Sequence, residues 1–459
     1  MQGVTIRDGD FELESFDCVC GAHHEAPVRR VVVRPGALDE VVPIITELGL
    51  GRRVVMVSDR NTEAAAGAAV AKRLESDGFQ VGRCFFDTGE WVRPDEHAVG
   101  SLMFSMEPDT ELLVAVGSGA LTDVTRFVSS RTGVPFVSVA TAPSVDGYTS
   151  NGAPITHNGY KRTLVCGQPV AVVADTDVLT SAPHSMIASG FSDTLAKLTA
   201  WTDWQLSRIV TGEYYCPTIV DGVTTAARAC MDAADGIGSS DPSAVQTLSE
   251  ALMISGIAMT MIGNSRPASG SEHSLSHYWE MKAHLEDRPE YLHGTKVGVA
   301  TAIIAAFHER FFARLENAAR DRSSIDRDAL ERGHPSLEQV EERVRGVLGS
   351  VADRVIAEVV RPEYRDWPQR NREISAILDN AGEIIALRAG APTYDALMDA
   401  QRRAGAPATP EEIGVGPDYL AETLRNAMEV RLRFTVLRAA ESLGWLDDLA
   451  DEVVELVCG

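Results

Sequence analysis

Two histidines, spaced one helical turn apart, are the residues of this chain that indicate a chemical function most clearly. His273 and His277 lie in the segment SGSEHSLSHYWEMKAHLEDRPEYLHG, and His293 lies beside its closing glycine. If the segment is helical, residues four apart project from one face, so both imidazoles can converge on one point. Imidazole and carboxylate groups suit divalent metals such as zinc, nickel and iron. The segment therefore predicts a metal site.

An earlier segment supplies a second polar pair. Asp193 and Lys197 are four apart in GFSDTLAKLTAWTDW, which predicts a helix that presents both side chains to a cleft shared with the histidines. A histidine pair at this spacing also arises by chance on helices. Glu does not follow His273, so the HExxH motif of zinc proteases is absent.

Length and composition indicate a folded chain of two domains. The chain has 459 residues, of which 44% are hydrophobic, and domains usually contain about 100–200 residues. The formal net charge is −24, which disfavours general binding to nucleic acid or to anionic membranes. An anionic substrate would therefore need a locally positive pocket.

The cysteine content and the apolar runs bear on the cellular compartment. Seven cysteines, an odd number, in a long chain without a basic-then-apolar leader favour reduced thiols over a disulfide framework. No apolar run approaches the roughly 18 residues of a membrane span. We expect a cytoplasmic protein without a membrane span.

A compact group of metal-binding residue types lies near the N-terminus. The segment FDCVCGAHHEAPVRR contains Cys18, Cys20, His23 and His24. These residues suit a soft metal, but their spacing does not match that of a zinc knuckle. We expect them to decorate a β-hairpin, with metal binding as the alternative.

From Arg29 the pattern alternates between strand and helix. Strands are predicted at RRVVVRP, RRVVMVSD, FQVGRCFF, ELLVAVG, PFVSVAT and AVVADTD, with helices such as PGALDEVVPIITELGL and NTEAAAGAAVAKRLESDG between them. This alternation predicts an α/β domain with a mostly parallel sheet over residues 1–180. Residues 181–459 are predicted to be almost entirely helical.

Ligands of such sheets bind beyond the carboxyl ends of the strands. Asp59 follows one predicted strand and is placed to accept hydrogen bonds from a ribose. The turn GSGALTD follows another, where Gly117 and Gly119 let the backbone approach a pyrophosphate at a helix N-terminus. Thr141 and Ser144 follow a third. Compatible chemistry at three strand ends predicts dinucleotide binding.

Turn residues between residues 145 and 166 predict a β-hairpin that extends over the cofactor cleft. The pairs Asp146-Gly147, Asn151-Gly152 and Asn158-Gly159 favour tight turns. An ordinary loop is the alternative.

In combination, these motifs resemble the sn-glycerol-1-phosphate dehydrogenases. The resemblance covers about residues 10–310 and is carried by GSGALTD, TAPSVDGYTSNGAP, GFSDTLAKLTAWTDW, TGEYYC, SRPASGSEHSLSHYWEM and LHGTKVGVAT. That family shares a superfamily with dehydroquinate synthase, glycerol dehydrogenase and iron-type alcohol dehydrogenases. The resemblance implies a dehydroquinate synthase-like fold, an α/β dinucleotide-binding domain followed by an all-α domain that binds metal and substrate.

The resemblance also implies roles for individual residues. The metal ligands fall on Asp193, His273 and His293. His277 falls on a substrate-contacting residue and proton relay, and Lys197 on a nearby polar position, so His277, Asp193 and Lys197 are the catalytic candidates. The substrate's glycerol portion is assigned to Asp146, Asp193 and His277. The cofactor would lie along Asp59, Gly117, Ser118, Gly119, Ala120, Leu121, Thr122, Asp123, Thr141, Ala142, Pro143, Ser144 and Ser150.

The implied reaction interconverts dihydroxyacetone phosphate, a small phosphorylated triose, and sn-glycerol-1-phosphate, with NAD or NADP and one zinc or nickel ion, in a homodimer. A carboxylate and two imidazoles around a divalent cation suit this chemistry, because the cation can stabilise negative charge on the C2 oxygen. Lys197, Lys161 and Arg162 are candidate contacts for the substrate phosphate. The alternatives are a sugar-phosphate cyclase, a glycerol dehydrogenase and a non-catalytic nucleotide-binding relative.

The C-terminal part departs from the expected family pattern. The charged segment FFARLENAARDRSSIDRDALERGHPSLEQVEERVRGVLGS is larger than we expect of the family, and it predicts a solvated helical elaboration or a dimer contact. The tail from about Gly414 carries apolar residues at helical spacing, which predicts the core of a helical bundle.

Overall fold

The computed structural model describes residues 1–26, 28–87, 91–158, 160–286 and 288–459. The chain forms two compact units. The first contains residues 1–194 and 217–267, and the second contains residues 195–216 and 268–459. The chain therefore enters the second unit, returns to the first and enters the second again. The predicted division into a dinucleotide-binding domain, residues 1–180, and a metal- and substrate-binding domain, residues 181–459, stays a prediction. The compact units have different bounds.

An eight-stranded sheet is the centre of the first unit. Its order is β1-β2-β5-β12-β9-β8-β6-β7, and β5, β12, β9, β8, β6 and β7 are mutually parallel. The strands of the chain are β1 (Val4–Arg7), β2 (Asp10–Leu13), β3 (Phe16–Asp17), β4 (His23–His24), β5 (Arg30–Arg34), β6 (Arg53–Asp59), β7 (Gln80–Phe86), β8 (Leu112–Gly117), β9 (Phe136–Ala140), β10 (Gly152–His157), β11 (Tyr160–Val165) and β12 (Ala171–Asp175). The predicted parallel α/β sheet is confirmed.

Both faces of the central strands are buried, as apolar β-branched runs predict. Every residue of β8, β9 and β12 is buried. Successive residues of β8 serve opposite faces: Val114 and Val116 join one hydrophobic cluster, and Leu113 joins the other. Helices must therefore cover both faces of the sheet.

The strand order reverses between β6 and β8, which are parallel neighbours. From β6 the chain passes to β7 on one side, then crosses back to β8 on the other. In open parallel sheets this switch point opens a crevice at the carboxyl ends, where ligands bind. Asp59 ends β6 and Gly117 ends β8, so both lie at this crevice.

Two small antiparallel ladders complete the β-structure of the first unit. Strands β10 and β11 pair from Gly152↔Val165 to His157↔Tyr160, which confirms the predicted hairpin. Gly159 of the predicted Asn158-Gly159 turn lies outside the described residues. Strands β3 and β4 pair through two residues each, so the cysteine and histidine segment does form a β-hairpin.

After β12 the described residues form helices, 3₁₀ turns and loops, as predicted. The α-helices of the chain are α1 (Val41–Glu47), α2 (Arg60–Thr62), α3 (Ala68–Ser76), α4 (Glu96–Ser105), α5 (Gly119–Thr132), α6 (Thr176–Thr180), α7 (His184–Leu195), α8 (Lys197–Thr211), α9 (Pro217–Asp232), α10 (Ala234–Gly238), α11 (Pro242–Ile262), α12 (Ser271–Glu286), α13 (His293–Arg320), α14 (Arg327–Arg332), α15 (Leu337–Leu348), α16 (Ala352–Val355), α17 (Arg361–Glu363), α18 (Trp367–Asp379), α19 (Ala381–Ala386), α20 (Tyr394–Arg403), α21 (Pro417–Asn426), α22 (Val436–Ser442) and α23 (Leu446–Cys458).

One predicted helix is two. Asp193 lies near the end of α7, and Lys197 is the first residue of α8. Ala196 separates the two helices, although its own dihedrals are right-handed helical. The amide groups of Thr199 and Ala200 both donate to the Ala196 carbonyl, so the hydrogen-bond ladder changes at this residue. The prediction that Asp193 and Lys197 form an i,i+4 pair on a single helix is therefore wrong.

The C-terminal tail packs as predicted. Leu420 and Leu424 of α21, Val436 of α22, and Leu449 and Val453 of α23 are all buried. These residues recur at helical spacing, so the tail contributes to the core of the second unit.

Helix α11 is long and apolar enough, by length and composition, to cross a membrane. Two-thirds of its apolar window, 67%, is buried inside the protein. It is the single such helix among the described residues. A buried core helix passes the same test, so α11 gives weak support for membrane crossing.

The contact between α7 and the loop after β9 predicts a specific defect. A Cβ added at Gly190 would lie 1.8 Å from the carbonyl oxygen of Pro143, so Gly190→Ala must displace backbone. We expect this variant to lose about 2 kcal/mol or more of unfolding free energy in a denaturant titration. Gly100→Ala is the control, because a Cβ at Gly100 meets no atom within 4 Å. It should be neutral or stabilising by up to about 1 kcal/mol. Equal stability of the two variants would contradict the packing described.

Candidate functional site

The N-terminus of α12 is anchored by a buried aspartate of the second unit. The Ser271 amide donates to Asp203 Oδ2 at 2.7 Å, and His308 Nε2 lies 3.3 Å from Asp203 Oδ1. Burial disfavours the charged carboxylate, but the hydrogen bonds from His308 and Ser271 hold the pKa of Asp203 below its ordinary value. A Cβ at Gly270 would lie 2.7 Å from Asp203 Oδ2, so only glycine allows this approach. The helix that carries His273 and His277 therefore starts from a fixed point.

Three imidazoles meet where α12 and α13 come together. The ring centroids of His273 and His293 are 5.4 Å apart, those of His277 and His293 5.9 Å, and those of His273 and His277 6.3 Å. His273 is buried, whereas His277 and His293 are partly exposed. The structure thus brings together the three histidines that the sequence singled out.

Two glutamates, which the sequence reasoning missed, orient these rings. His273 Nδ1 lies 2.9 Å from Glu272 Oε1, and His293 Nδ1 lies 2.9 Å from Glu280 Oε1. A carboxylate that accepts a hydrogen bond from Nδ1 leaves the Nε2 lone pair for a metal and raises its basicity. Glu280 follows His277 by three residues, so its position on the same helix face was the available signal.

Each orienting glutamate is itself held. The Gly270 amide donates to Glu272 Oε1, and the Thr199 hydroxyl donates to Oε2. Burial, followed by the charge of Asp203, raises the pKa of Glu272 to about 6. Lys296 Nζ lies 3.2 Å from Glu280 Oε1.

The donor set fits a divalent metal. The oriented Nε2 atoms of His273 and His293 are two possible donors. In addition, one ligand atom from each of His277, Glu280 and His293 lies within 4.8 Å of the other two. Nitrogen and carboxylate donors of this kind suit zinc, nickel and iron. The histidine cluster can therefore hold a cation.

The first unit holds the two candidate aspartates close together. Asp193 on α7 is fully buried, and the Asp146 amide donates to its Oδ2 at 3.1 Å. The Ser255 hydroxyl on α11 donates to Asp146 Oδ2 at 2.8 Å. In the second unit, Lys197 is buried at 1% exposure. The loop after β9 is thus tied to α7 and α11 through its acidic residue.

A buried arginine that the sequence reasoning missed shapes the same loop. The Arg126 guanidinium, on α5, donates to the carbonyl oxygens of Gly147, Tyr148 and Gly152 at 2.5, 3.1 and 3.0 Å. It also pairs with Asp123 Oδ1 at 2.6 Å. Asp123, predicted to contact the cofactor, is therefore engaged with Arg126. A lone arginine in GALTDVTRF gave no sign of this role.

The predicted cofactor residues lie at the carboxyl ends of the strands. Ser118 is the N-cap of α5, and the Thr141 amide donates to the Gly117 carbonyl at 3.2 Å, which joins two strand ends. A Cβ at Gly117 would lie 2.5 Å from the Leu121 side chain, so the tight turn requires glycine. The side chains of several other predicted residues are buried: Leu121, Thr122, Ala142, Ser144 and Ser150.

Asp59 has a structural role beside its predicted one. Its Oδ1 accepts hydrogen bonds from the amides of Asn61 and Thr62, which caps α2. Arg60 pairs with Asp87 Oδ1 at 2.6 Å. Lys161 and Arg162, the candidate phosphate contacts, lie on β11.

Comparisons with curated proteins give relatives of similar length. The chain is 34% identical over 424 residues to a glycerol-1-phosphate dehydrogenase [NAD(P)+] of Geobacillus thermodenitrificans, which covers 91% of this chain and 94% of the relative. It is 33% identical over 415 residues to the enzyme of the same name from Bacillus subtilis, covering 90% of each. Residues 32–183 match the family model of iron-containing alcohol dehydrogenases.

Solved structures share the fold at low identity. A glycerol dehydrogenase from Schizosaccharomyces pombe superposes with a TM-score of 0.57 at 16% identity, covering 94% of this chain and 92% of that one. A 1,3-propanediol oxidoreductase gives a TM-score of 0.59 at 16% identity, covering 93% and 99%. These matches confirm the predicted fold class.

The orientation of His293 by Glu280 can be tested by metal binding. Glu280→Gln replaces the accepting carboxylate with a neutral amide and should weaken binding of Ni²⁺ or Zn²⁺ about 10–100-fold, because the amide raises the basicity of the His293 ring less than a carboxylate does. Isothermal titration of the metal-free protein measures this change. Glu342→Gln, at an exposed position of α15, is the control and should bind as the unaltered protein does. Unchanged affinity in Glu280→Gln would show that the carboxylate does not support a ligand.

Proposed function

Because the chain belongs to the family of glycerol-1-phosphate dehydrogenases, we propose that it interconverts dihydroxyacetone phosphate and sn-glycerol-1-phosphate with NAD or NADP and a divalent metal. The observation that carries this proposal is identity of 34% over almost the whole length of a relative of that name. The oriented histidine cluster supports the metal dependence. The switch point of the sheet supports dinucleotide binding.

We propose Asp193, His273 and His293 as the metal ligands. Support comes from the glutamates that engage Nδ1 of both histidines and from the burial of Asp193. A cation held there supplies Lewis-acid stabilisation of the negative charge that develops on the C2 oxygen of the substrate. Either zinc or nickel suits this donor set.

His277 is proposed to donate the proton that the C2 oxygen needs. It lies one turn from His273 and is partly exposed, so it can reach both substrate and solvent. Asp146 and Asp193 are proposed to contact the glycerol portion of the substrate, and Lys197 to supply a positive charge nearby. The Ser255 hydroxyl holds Asp146 in place.

The dinucleotide is proposed to lie along the switch point between β6 and β8. The amides at the start of α5 point toward a pyrophosphate there, and small residues permit its approach. Asp59 is proposed to accept hydrogen bonds from the ribose. The residues after β9, from Thr141 to Ser144, and Ser150 complete the proposed cofactor site.

The cellular compartment, the oligomeric state and the metabolic role are proposed together with this function. The enzyme works in the cytoplasm as a homodimer, and its product enters phospholipid metabolism. The charge of −24 is consistent with small-molecule chemistry rather than nucleic-acid binding.

Replacement of the proposed carboxylate ligand separates turnover from cofactor binding. Asp193→Asn should lower kcat for NADH-dependent reduction of dihydroxyacetone phosphate about 10²–10³-fold, because charge stabilisation is lost. NADH binding, followed by nicotinamide fluorescence, should survive. Asp177→Asn, at an exposed position of α6, is the matched control. Full turnover in Asp193→Asn would refute the assigned ligand. A wild-type protein that binds NADH without net oxidation would favour a cyclase or a non-catalytic relative.

The cofactor role of Asp59 can be tested without loss of the helix cap. Asp59→Ser keeps a hydroxyl able to cap α2 but removes the carboxylate. Because that carboxylate repels a 2′-phosphate and accepts ribose hydroxyls, the ratio of kcat/KM for NADPH to that for NADH should rise about tenfold. Thermal unfolding checks that the cap is retained. An unchanged ratio would place the ribose elsewhere.

A further inference from the structure

A second group of metal-binding side chains lies in the first unit, within the β3–β4 hairpin. Cys18 and Cys20 occupy the connection between the two strands, and His24 is the last residue of β4. Ligand atoms of all three lie within 4.8 Å of one another. None of these residues belongs to the site proposed for the dehydrogenase reaction.

The ring of His24 is oriented by a hydrogen bond from one ring nitrogen to a backbone carbonyl, an arrangement that is common for metal-binding histidines. Its Nδ1 donates to the backbone carbonyl of Met261 at 3.1 Å, because a carbonyl oxygen can only accept. The neutral ring therefore presents its Nε2 lone pair on the other side. That atom lies 3.5 Å from Cys20 Sγ. His24 is 1% exposed, so its orientation is set by the protein rather than by solvent.

The separation of these two atoms matches two ligands of one tetrahedral zinc ion. Zinc–sulfur and zinc–nitrogen bonds of about 2.3 and 2.1 Å at a tetrahedral angle place the sulfur and nitrogen about 3.6 Å apart. The observed distance of 3.5 Å agrees. A tight turn, in which the Gly21 amide donates to the Cys18 carbonyl, brings both cysteines to the same end of the hairpin.

The hairpin also contacts α9. Cys18 Sγ donates to the hydroxyl of Thr218, on α9, at 3.3 Å. Zinc takes thiolate and imidazole ligands in tetrahedral sites, and water can fill a position that the protein leaves open.

We propose that Cys18, Cys20 and His24 bind one zinc ion with a structural role. Each thiol loses its proton to solvent as its zinc–sulfur bond forms. An isolated ladder of two residue pairs is marginally stable at best in water, so a bound metal would stabilise this hairpin. Zinc would fasten the hairpin beside the start of α9, while the Met261 carbonyl at the end of α11 orients His24.

Cobalt is the probe that separates this site from the dehydrogenase metal. A thiolate bound to Co²⁺ produces a sulfur-to-metal charge-transfer band in the near ultraviolet, whereas nitrogen and oxygen ligands do not. The metal-free chain of 459 residues should develop this band when it is titrated with one equivalent of Co²⁺. Zn²⁺ should then abolish it by displacement.

Matched variants locate the ligands. Cys20→Ser and His24→Gln should weaken cobalt binding at this site at least tenfold, whereas Cys166→Ser and His23→Gln should leave the band unchanged. His23 is the neighbour of His24 but is exposed and pairs with Asp17. The Asp193→Asn variant should keep the band.

Three results would overturn the proposal: no charge-transfer band in the wild-type protein, a band that survives both ligand substitutions, or a mass showing that Cys18 and Cys20 form a disulfide. If a ligand variant fails to fold, the wild-type titration decides alone, because its band either appears at one equivalent or does not.

Discussion

The hydrogen bonds between carboxylates and the Nδ1 atoms of His273 and His293 are the constraint on which the candidate chemistry depends. Without them each neutral ring could adopt either tautomer, and only one leaves Nε2 free to bind a cation. Glu272 and Glu280 are in turn held by Gly270, Thr199 and Lys296. The hydrogen bond from the Ser271 amide to Asp203 fixes the N-terminus of α12 and so helps to position His273. The site is therefore prepared by the fold before any metal binds.

In the first unit, the loop after β9 is likewise held in position by contacts with neighbouring elements. Arg126 binds three of its carbonyl groups, Ser255 holds the Asp146 carboxylate, and Gly190 lets α7 approach the Pro143 carbonyl. A buried guanidinium with most of its donors satisfied is costly to disturb. These contacts restrain the loop that carries the substrate and cofactor candidates, as precise hydride transfer requires.

The sequence predicted the elements better than the contacts between them. Apolar β-branched runs identified the parallel strands, and the histidine spacing identified α12, because both patterns are local. The break at Ala196 escaped notice because Asp193 and Lys197 fit one continuous helical period. Glu280 and Arg126 were missed because their roles depend on partners that fold beside them, 13 residues away for His293 and 26 for Gly152. Glu272 was missed because Thr199, 73 residues away, helps to hold it against His273. Burial of the Thr122 and Ser144 side chains is likewise a tertiary property.

The stereochemistry of metal-dependent turnover tests the central claim most directly. The protein is treated with chelator, dialysed, and supplied with NADH and dihydroxyacetone phosphate, with and without Zn²⁺ or Ni²⁺. The account predicts NADH oxidation only after metal is restored, and a product that is sn-glycerol-1-phosphate rather than its enantiomer. Turnover that does not depend on metal, formation of the opposite enantiomer, or no net NADH oxidation with either metal would contradict it.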